Sequence, residues 1–209
     1  MVAEIDSALK RSRFLHVAKV LVTGFEPFAG ATNNPSKVVI ESLDGEVETL
    51  LLPVVFGEAS ELLLKKIDQY MPDVVIALGQ AEGRSQITPE RIAINLDNAN
   101  IADNDGNIRL NHKIVESGAD GYFTTLPIDE MVEAMNSAGV PAAISLSAGT
   151  FVCNHIFYSL QHHLQGKGIR SGFIHLPLLD SQAAEFPDKS TMSLEVIIKG
   201  IRAALAVIS

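Results

Sequence analysis

The sequence predicts a single α/β domain with a mostly parallel, twisted sheet and helices on both faces. The chain has 209 residues, of which 47% are apolar, enough for one sizeable core. From about Lys19 onward, short apolar runs alternate with segments of helical periodicity, the pattern expected of an α/β layer architecture. We therefore expect an N-terminal extension over residues 1–18 and one domain over residues 19–209.

The predicted strands are short, mostly apolar runs. They cover residues 19–23, 48–55, 74–78, 92–96, 141–146 and 172–176. The predicted helices carry apolar residues at three- and four-residue spacing. The first begins at Pro35, and the others cover residues 59–70, 129–138, 150–164 and 193–208. Asn34 and Thr150 are the expected N-caps of the first and fourth helices.

A ligand site is expected beyond the carboxyl ends of the strands, where open parallel sheets bind their ligands. The loops that meet this condition are residues 24–34, 79–90, 147–153 and the turn after His175. Residues 97–121, called the excursion below, form the longest stretch without clear periodicity. Loops of this length serve as lids or assembly elements, and we expect a partly ordered one here.

Composition argues against several classes of function. The 16 Lys and Arg residues face 25 Asp and Glu residues, giving a formal net charge of −9, so we expect no nucleic-acid partner. No apolar run reaches the roughly 20 residues of a membrane helix, and no export signal is visible, so we expect no membrane association. A single cysteine suits a reducing compartment, and we expect a cytoplasmic protein.

Neither a metal nor a cofactor is expected. The loop from Gly24 to Gly30 follows a strand but lacks the spacing of a dinucleotide site and the ending of a P-loop. His162 and His163 have no acidic or cysteine partner three or four residues onward, so a polar helix end explains the pair better than a metal site.

Cys153 is the most informative candidate for chemistry. It lies between a predicted strand and helix, in the segment SAGTFVCNH, and falls in the first turn of that helix. Unsatisfied N–H groups and the helix dipole there favour a thiolate and can also hold an oxyanion. We therefore expect a lowered pKa for Cys153. The alternative is a buried structural cysteine.

His175 is the best candidate for the base that a cysteine nucleophile needs. It lies at the carboxyl end of a predicted strand, where a neighbouring turn can present the thiol. His155 is two residues from Cys153 on the same helix, so the two side chains do not face each other. Glu90 begins a strand after the 79–84 loop and can orient the imidazole. The alternatives are a core histidine and a salt-bridging surface acid.

Several segments together resemble the pyroglutamyl peptidase I family of cysteine exopeptidases. In order from Val20 to Pro177, they read VLVTGFEPFAG, NPS, LPVVFG, GQAEGRSQITPERIAIN, DN-G with GYFTTLP, SAGTFVCN and SGFIHLP. The resemblance implies a Glu–Cys–His triad at Glu90, Cys153 and His175. Ala29 departs from the pattern, since the family's first loop reads FEPFGG and the added methyl group restricts the backbone.

The resemblance also implies the reaction and the substrate. The expected activity is hydrolysis of the amide bond after an N-terminal pyroglutamyl residue of peptides, through a thioester. The lactam is neutral, flat and small, so its pocket should have apolar walls, a few amide hydrogen bonds and no cation for a free carboxylate. The expected substrate-binding residues are Phe25, Phe28, Phe151 and Val152 for the walls, Asn34 and Gln80 near the substrate, and Arg91 at the oxyanion region. Among these, Phe28 and Phe151 should flank the ring.

The resemblance implies a homotetramer as well, with the excursion at the contacts. Tyr122 and Phe123, which follow a long polar loop, support this independently. The alternative is a surface loop folded over its own domain. Two other functions remain open: a noncatalytic α/β small-molecule-binding protein with a structural Cys153, and a thioester-forming acyltransferase with room for an amine acceptor.

Overall fold

A computed structural model describes residues 18–208 of the chain. Apart from Ala18, the predicted N-terminal extension lies outside the described residues. No helix within residues 18–208 is long and apolar enough to cross a membrane.

The described residues form a central sheet, several smaller strand pairs and five α-helices. The strands are β1 (Val20–Phe25), β2 (Glu48–Leu52), β3 (Val74–Gln80), β4 (Thr88–Pro89), β5 (Ile92–Ile94), β6 (Asp97–Ala99), β7 (Arg109–His112), β8 (Gly121–Phe123), β9 (Arg170–Leu176), β10 (Leu178–Leu179) and β11 (Thr191–Met192). The helices are α1 (Pro35–Ser42), α2 (Glu58–Tyr70), α3 (Ile128–Ser137), α4 (Val152–Leu164) and α5 (Leu194–Ala206).

The central sheet has the strand order β2-β1-β3-β9-β4. Its first four strands pair in parallel, and β4 pairs antiparallel with β9. Helices cover both faces, because the alternating side chains of buried strands are apolar on both sides. Residues of α1, α3 and α5 pack on one face, and residues of α2 and α4 pack on the other. The predicted fold class is confirmed.

Two predicted strands are wrong in detail. Residues 92–96 shorten to β5, which pairs antiparallel with β8 outside the central sheet. Residues 141–146 run beside the β4 edge but form only isolated bridges, Ile87 with Ala142 and Glu90 with Ser145. Pro89 lies between the two bridged positions and has no N–H to donate, so a regular ladder is interrupted there.

The start of α4 also differs from the prediction. Its N-cap is Phe151, whose side chain makes no capping hydrogen bond. Thr150 instead donates its hydroxyl to the carbonyl of Asn98 at 2.7 Å, while the Asn98 N–H bonds the Thr150 carbonyl at 3.0 Å. These two bonds tie the excursion to the chain just before Cys153. The Asn34 cap of α1 is confirmed, since its side chain accepts from the N–H of Ser36.

Candidate active site

Gly79, His175 and Glu90 lie on one face of the central sheet, and α4 packs against that face. Gly79 and His175 are direct partners in the parallel pairing of β3 with β9. Thr88 is the antiparallel partner of His175, and the Glu90 N–H bonds the Phe173 carbonyl at 2.9 Å. Because side chains alternate along a strand, Glu90 points to the same side as His175. The pairing of three neighbouring strands therefore brings acid and imidazole together.

Glu90 and His175 form a buried hydrogen-bonded pair. His175 Nδ1 lies 2.7 Å from Glu90 Oε1, and the two residues are 4% and 0% exposed. Arg84 Nη1 donates to the same carboxylate oxygen at 2.7 Å, while its Nη2 donates to the Ser147 carbonyl at 3.0 Å. With Nδ1 donating to a carboxylate, Nε2 remains for a thiol or a leaving group.

Burial and charge set the ionisation of this pair. Burial of Glu90 raises its pKa, but the hydrogen bond and charge of His175, with smaller contributions from Ser145 and Arg84, hold the pKa below its usual value. Burial lowers the pKa of His175, and the opposing effect of Glu90 does not restore it. The resting pair is therefore a carboxylate and a neutral imidazole.

Cys153 is the second residue of α4 and presents its sulfur to the sheet at Gly79. A β-carbon on Gly79 would stand 3.0 Å from Cys153 Sγ and 2.7 Å from the Phe173 ring. Glycine is therefore needed at this position to leave room for the thiol. Since Gly79 and His175 are paired neighbours, the sulfur lies over the strand next to the imidazole.

The predicted lowering of the Cys153 pKa is wrong. The residue is partly exposed, but burial of the thiol, with a smaller contribution from the negative charge of Glu90, raises its pKa to about 12. Arg84 and a backbone N–H at the start of α4 lower the pKa by less. The helix terminus does favour the thiolate, but desolvation outweighs it. The resting thiol is protonated.

A pocket of about 140 Å³ opens beside the thiol, at the carboxyl ends of the parallel strands. Its lining residues are Phe25, Phe28, Asn34, Val54, Gln80, Glu82, Phe151, Val152 and Cys153. The rings of Phe28 and Phe151 lie 5.1 Å apart in a tilted pair. Among the described residues that line the pocket there is no Lys or Arg, so the wall is apolar with a few amide groups and one acid.

Most of the substrate-binding residues predicted from the sequence meet at this pocket. Asn34, however, uses its side chain for structure: Oδ1 accepts from the N–H and hydroxyl of Ser36, and Nδ2 donates to the Glu26 carbonyl at 3.0 Å. Gln80 Oε1 accepts from Gln182 at 3.2 Å, which leaves the Gln80 amide hydrogens for the pocket.

The structure does not bring Arg91 to the pocket. Its guanidinium pairs with Asp129 at 3.1 Å and is partly exposed. Arg91 follows Glu90 directly in an extended segment, so the two side chains point in opposite directions. Sequence reasoning missed Arg84, the cation that does contact Glu90, because nothing local distinguishes it from a surface arginine of the 79–90 loop.

Val54 and Glu82 are further lining residues that sequence reasoning missed. Val54 follows β2, and its place at a carboxyl strand end was a usable signal. Glu82 pairs with Lys189 at 3.1 Å.

The two adjacent histidines near the end of α4, which are candidate metal ligands in the sequence, have other partners: His162 contacts Tyr122, and His163 contacts Asp68. Within residues 18–208, no group of three or more His, Cys, Asp or Glu side chains could hold a metal ion.

Comparison with known proteins agrees with the motifs. Residues 18–209 match the family description "Pyroglutamyl peptidase". A pyrrolidone-carboxylate peptidase of Vibrio campbellii is 46% identical over 189 residues, 88% of this chain and 89% of that protein. One of Cupriavidus pinatubonensis is 48% identical over 90% of this chain and 91% of its own length.

Solved structures agree as well. The crystal structure of pyroglutamyl peptidase I from Bacillus amyloliquefaciens superposes with a TM-score of 0.88 at 42% identity, covering 90% of this chain and 93% of that one. The family match, the similar sequences and the similar structure each cover about nine-tenths of the chain. The chain belongs to the pyroglutamyl peptidase family.

Proposed function

We propose that Cys153 is the nucleophile, His175 the general base and acid, and Glu90 the group that orients the imidazole. The chain is a pyrrolidone-carboxylate peptidase, a cysteine peptidase that removes N-terminal pyroglutamate from peptides. The observation that supports these roles most strongly is the placement of the Cys153 sulfur over Gly79, beside the buried His175–Glu90 pair and at the edge of a small cavity with no Lys or Arg among its described lining residues.

Acylation begins from the neutral thiol and neutral imidazole. His175 Nε2 takes the thiol proton as the sulfur attacks the pyroglutamyl carbonyl carbon, and the carbonyl π electrons move to oxygen. The N–H groups at the start of α4 can stabilise that oxyanion. The imidazolium, stabilised by Glu90, then gives its proton to the leaving amine as the C–N bond breaks. A thioester on Cys153 remains.

In deacylation, His175 returns a proton to the sulfur of Cys153. His175 Nε2 accepts a proton from a water molecule, whose oxygen attacks the thioester carbonyl, and the C–S bond then breaks. The proton returns to sulfur, so the free thiol is regenerated and pyroglutamate leaves. Glu90 stays ionised throughout, because its low pKa keeps the proton on the imidazole.

The pocket fits a lactam better than a free amino acid. Phe28 and Phe151, whose rings contact each other, can form an apolar wall against which a flat ring packs, and Gln80 can donate to the ring carbonyl. No Lys or Arg among the described lining residues is available to pair with a free carboxylate, which disfavours substrates with an N-terminal glutamate. A buried donor without its acceptor is costly, so a substrate without the lactam carbonyl should be rejected.

Release of a fluorescent amine from its pyroglutamyl derivative, compared with the prolyl derivative, tests this proposal. We expect pyroglutamyl turnover to exceed prolyl turnover by about a hundredfold or more. Equal efficiency would refute the role of the lactam carbonyl. Faster transfer of the acyl group to an added amine than to water would instead favour an acyltransferase.

We also propose a homotetramer with the excursion at its contacts. Ile101, Ile108 and Leu110 on the excursion and Phe123 just after it are all about half exposed or more, and exposed apolar side chains of this kind favour an interface. Light scattering coupled to size-exclusion chromatography at several concentrations should give a tetrameric mass. A monomer at every concentration would overturn the proposal.

The domain boundaries and the location in the cell complete the proposal. We place a single peptidase domain at residues 19–209, supported by the family match from residue 18, and an extension before it. A chain lacking the extension should keep its activity and its thermal midpoint.

We place the enzyme in the cytoplasm, where its single thiol stays reduced. Detection of the enzyme mainly in a secreted fraction would contradict this location.

A further inference from the structure

Asp97, His155 and Arg109 form a second acid–imidazole–guanidinium cluster, which shares no residue with the one that holds Glu90. Asp97 is fully buried, and its Oδ2 accepts from His155 Nδ1 and from Arg109 Nη1, each at 2.9 Å. The other oxygen of Asp97, Oδ1, has no hydrogen-bond partner in the described part of the chain. The hydrogen bonds from His155 and Arg109 to Oδ2 are therefore the contacts that stabilise the buried Asp97 carboxylate.

This second cluster is not built for hydrolysis. Within the described residues, the hydroxyl at His155 Nε2 is that of Ser60 at 3.2 Å, and Ser60 already donates to the Gly57 carbonyl at 2.7 Å. Neither Ser60 nor His155 lines the pocket that Cys153 lines. The Asp97–Arg109 ion pair therefore has a structural role, which depends on the side chains that it contacts.

The cluster reaches the pocket through Phe56. The Arg109 guanidinium carbon lies 4.8 Å from the centre of the Phe56 ring, and the His155 ring packs edge-on against the same ring at 5.6 Å. Phe56 in turn meets Phe151 edge-on at 5.3 Å, and Phe151 pairs with Phe28. One continuous chain of ring contacts connects the charges to the two aromatic walls.

The excursion also contacts the backbone beside the pocket directly, through hydrogen bonds of Asp103 and Asn104. Asp103 accepts from the Phe56 N–H at 2.9 Å. The Asn104 N–H bonds the Val54 carbonyl at 2.9 Å, and its side chain bonds the Pro27 carbonyl at 3.0 Å. Arg109 is in β7 of the excursion, so this long loop contacts the pocket wall from outside at several points.

We propose that Arg109 is a positioning residue that fixes the aromatic wall of the lactam pocket through Phe56, with Asp97 and His155 as its anchors. The inference rests on the proposed function and adds a role for the excursion that is separate from assembly. Arg109 touches no reacting atom. Its loss should therefore weaken binding of the lactam while leaving the chemistry of Cys153 and His175 unchanged.

The test compares Arg109→Met with wild type and with Arg109→Lys. We expect Arg109→Met to raise KM for the pyroglutamyl derivative about tenfold, with little change in kcat or in the pH profile of kcat. Arg109→Lys keeps a cation over Phe56 and should recover most of the loss. Lys113→Met removes an exposed cation from the same excursion and should leave KM unchanged.

A second readout avoids turnover. Cys153 is the only cysteine of the chain, so iodoacetamide consumption reports its alkylation alone. In wild type, 2-pyrrolidone should protect the thiol by filling the pocket. Arg109→Met should need about tenfold more 2-pyrrolidone for equal protection, while its unprotected alkylation rate stays that of wild type.

A double-mutant cycle with Phe56→Leu separates positioning from general destabilisation. If Arg109→Met folds poorly, Arg109→Gln, which removes the cation but keeps an N–H donor for Asp97, takes its place in the cycle. If Arg109 acts through Phe56, exchanging Arg109 in the Phe56→Leu background should change KM little. Equal KM effects in both backgrounds, a fall in kcat with KM unchanged, or no effect at all would each overturn the inference. The proposed function itself would be refuted if wild type did not cleave the pyroglutamyl derivative and 2-pyrrolidone did not protect Cys153 from alkylation.

Discussion

Gly79 lies directly beneath Cys153: a β-carbon at this glycine would stand 3.0 Å from the sulfur and 2.7 Å from the Phe173 ring. The close approach of α4 to β3 therefore depends on a missing side chain. It places the thiol over the strand that neighbours His175, and it ties packing of the core to the geometry of the nucleophile.

Gly79→Ala should reduce kcat/KM by about tenfold or more, because the methyl group displaces the sulfur. Overpacking should also cost about 1–3 kcal/mol of unfolding free energy, measured in urea. Gly172→Ala is the matched control. A methyl group there would meet Thr124 and Leu126 on the opposite face of the sheet. It should cost stability without a comparable loss of activity; wild-type kcat/KM in Gly79→Ala would show that the sulfur is not confined at this point.

The pH dependence follows from a protonated thiol beside a neutral imidazole. An imidazolium cannot accept the thiol proton, so kcat/KM should fall as the pH drops through the His175 pKa, which lies below its usual value. Alkylation of Cys153 by iodoacetamide should keep rising by about tenfold per pH unit from pH 7 to pH 10, since the thiol pKa is about 12.

The unfolded chain is the control for alkylation, because its ordinary thiol should level off above about pH 9. A flat alkylation rate from pH 5 to pH 8 in the folded protein would contradict this prediction. It would mean that a thiolate–imidazolium pair exists before the substrate binds.

Ala29→Gly should stabilise the protein by about 1 kcal/mol without changing KM. Ala29 has φ of +54°, in the left-handed region where a β-carbon is strained and glycine is not. Urea denaturation measures the difference. Ala31→Gly, in the same loop but without a positive φ, should destabilise; a loss of stability in Ala29→Gly would mean that its methyl group makes contacts worth more than the strain.

Gln80→Leu should raise KM for the pyroglutamyl derivative and reduce the preference over the prolyl derivative by about tenfold. The reason is that Gln80 has amide hydrogens left for the lactam. Asn34→Ser is the comparison, since serine can still cap α1 and the Asn34 amide is already bonded within the chain. It should change KM little; a larger effect there than in Gln80→Leu would reverse the two assignments.

The sequence was sufficient for the layer architecture, because burial on both faces makes parallel strands nearly continuous apolar runs. It could not distinguish a sheet strand from an apolar segment that lies along an edge. Residues 141–146 fit the strand pattern, yet the pairing that they form depends on Pro89, which is distant in sequence.

The catalytic candidates could be chosen because each lies at the end of a predicted element, where open parallel sheets bind ligands. Cys153 is at the start of a predicted helix, His175 at the end of a strand and Glu90 at the start of another strand. Arg91 could have been excluded, since adjacent residues of an extended segment point to opposite sides. Arg84 and the Asp97–Arg109 pair could not be found, because their partners are set by how loops close. The Cys153 pKa was misjudged because burial is a property of the packed core.

Acid-quenched mass spectrometry of the enzyme mixed with an activated pyroglutamyl ester tests the central claim most directly. An ester acylates quickly, so the thioester should accumulate before hydrolysis. We predict a mass increase of one pyroglutamyl group on the peptide that contains Cys153, none in Cys153→Ser, and a fall of at least about a thousandfold in amide turnover for that variant. A pyroglutamyl group on any other residue, or wild-type turnover by folded Cys153→Ser, would contradict the account.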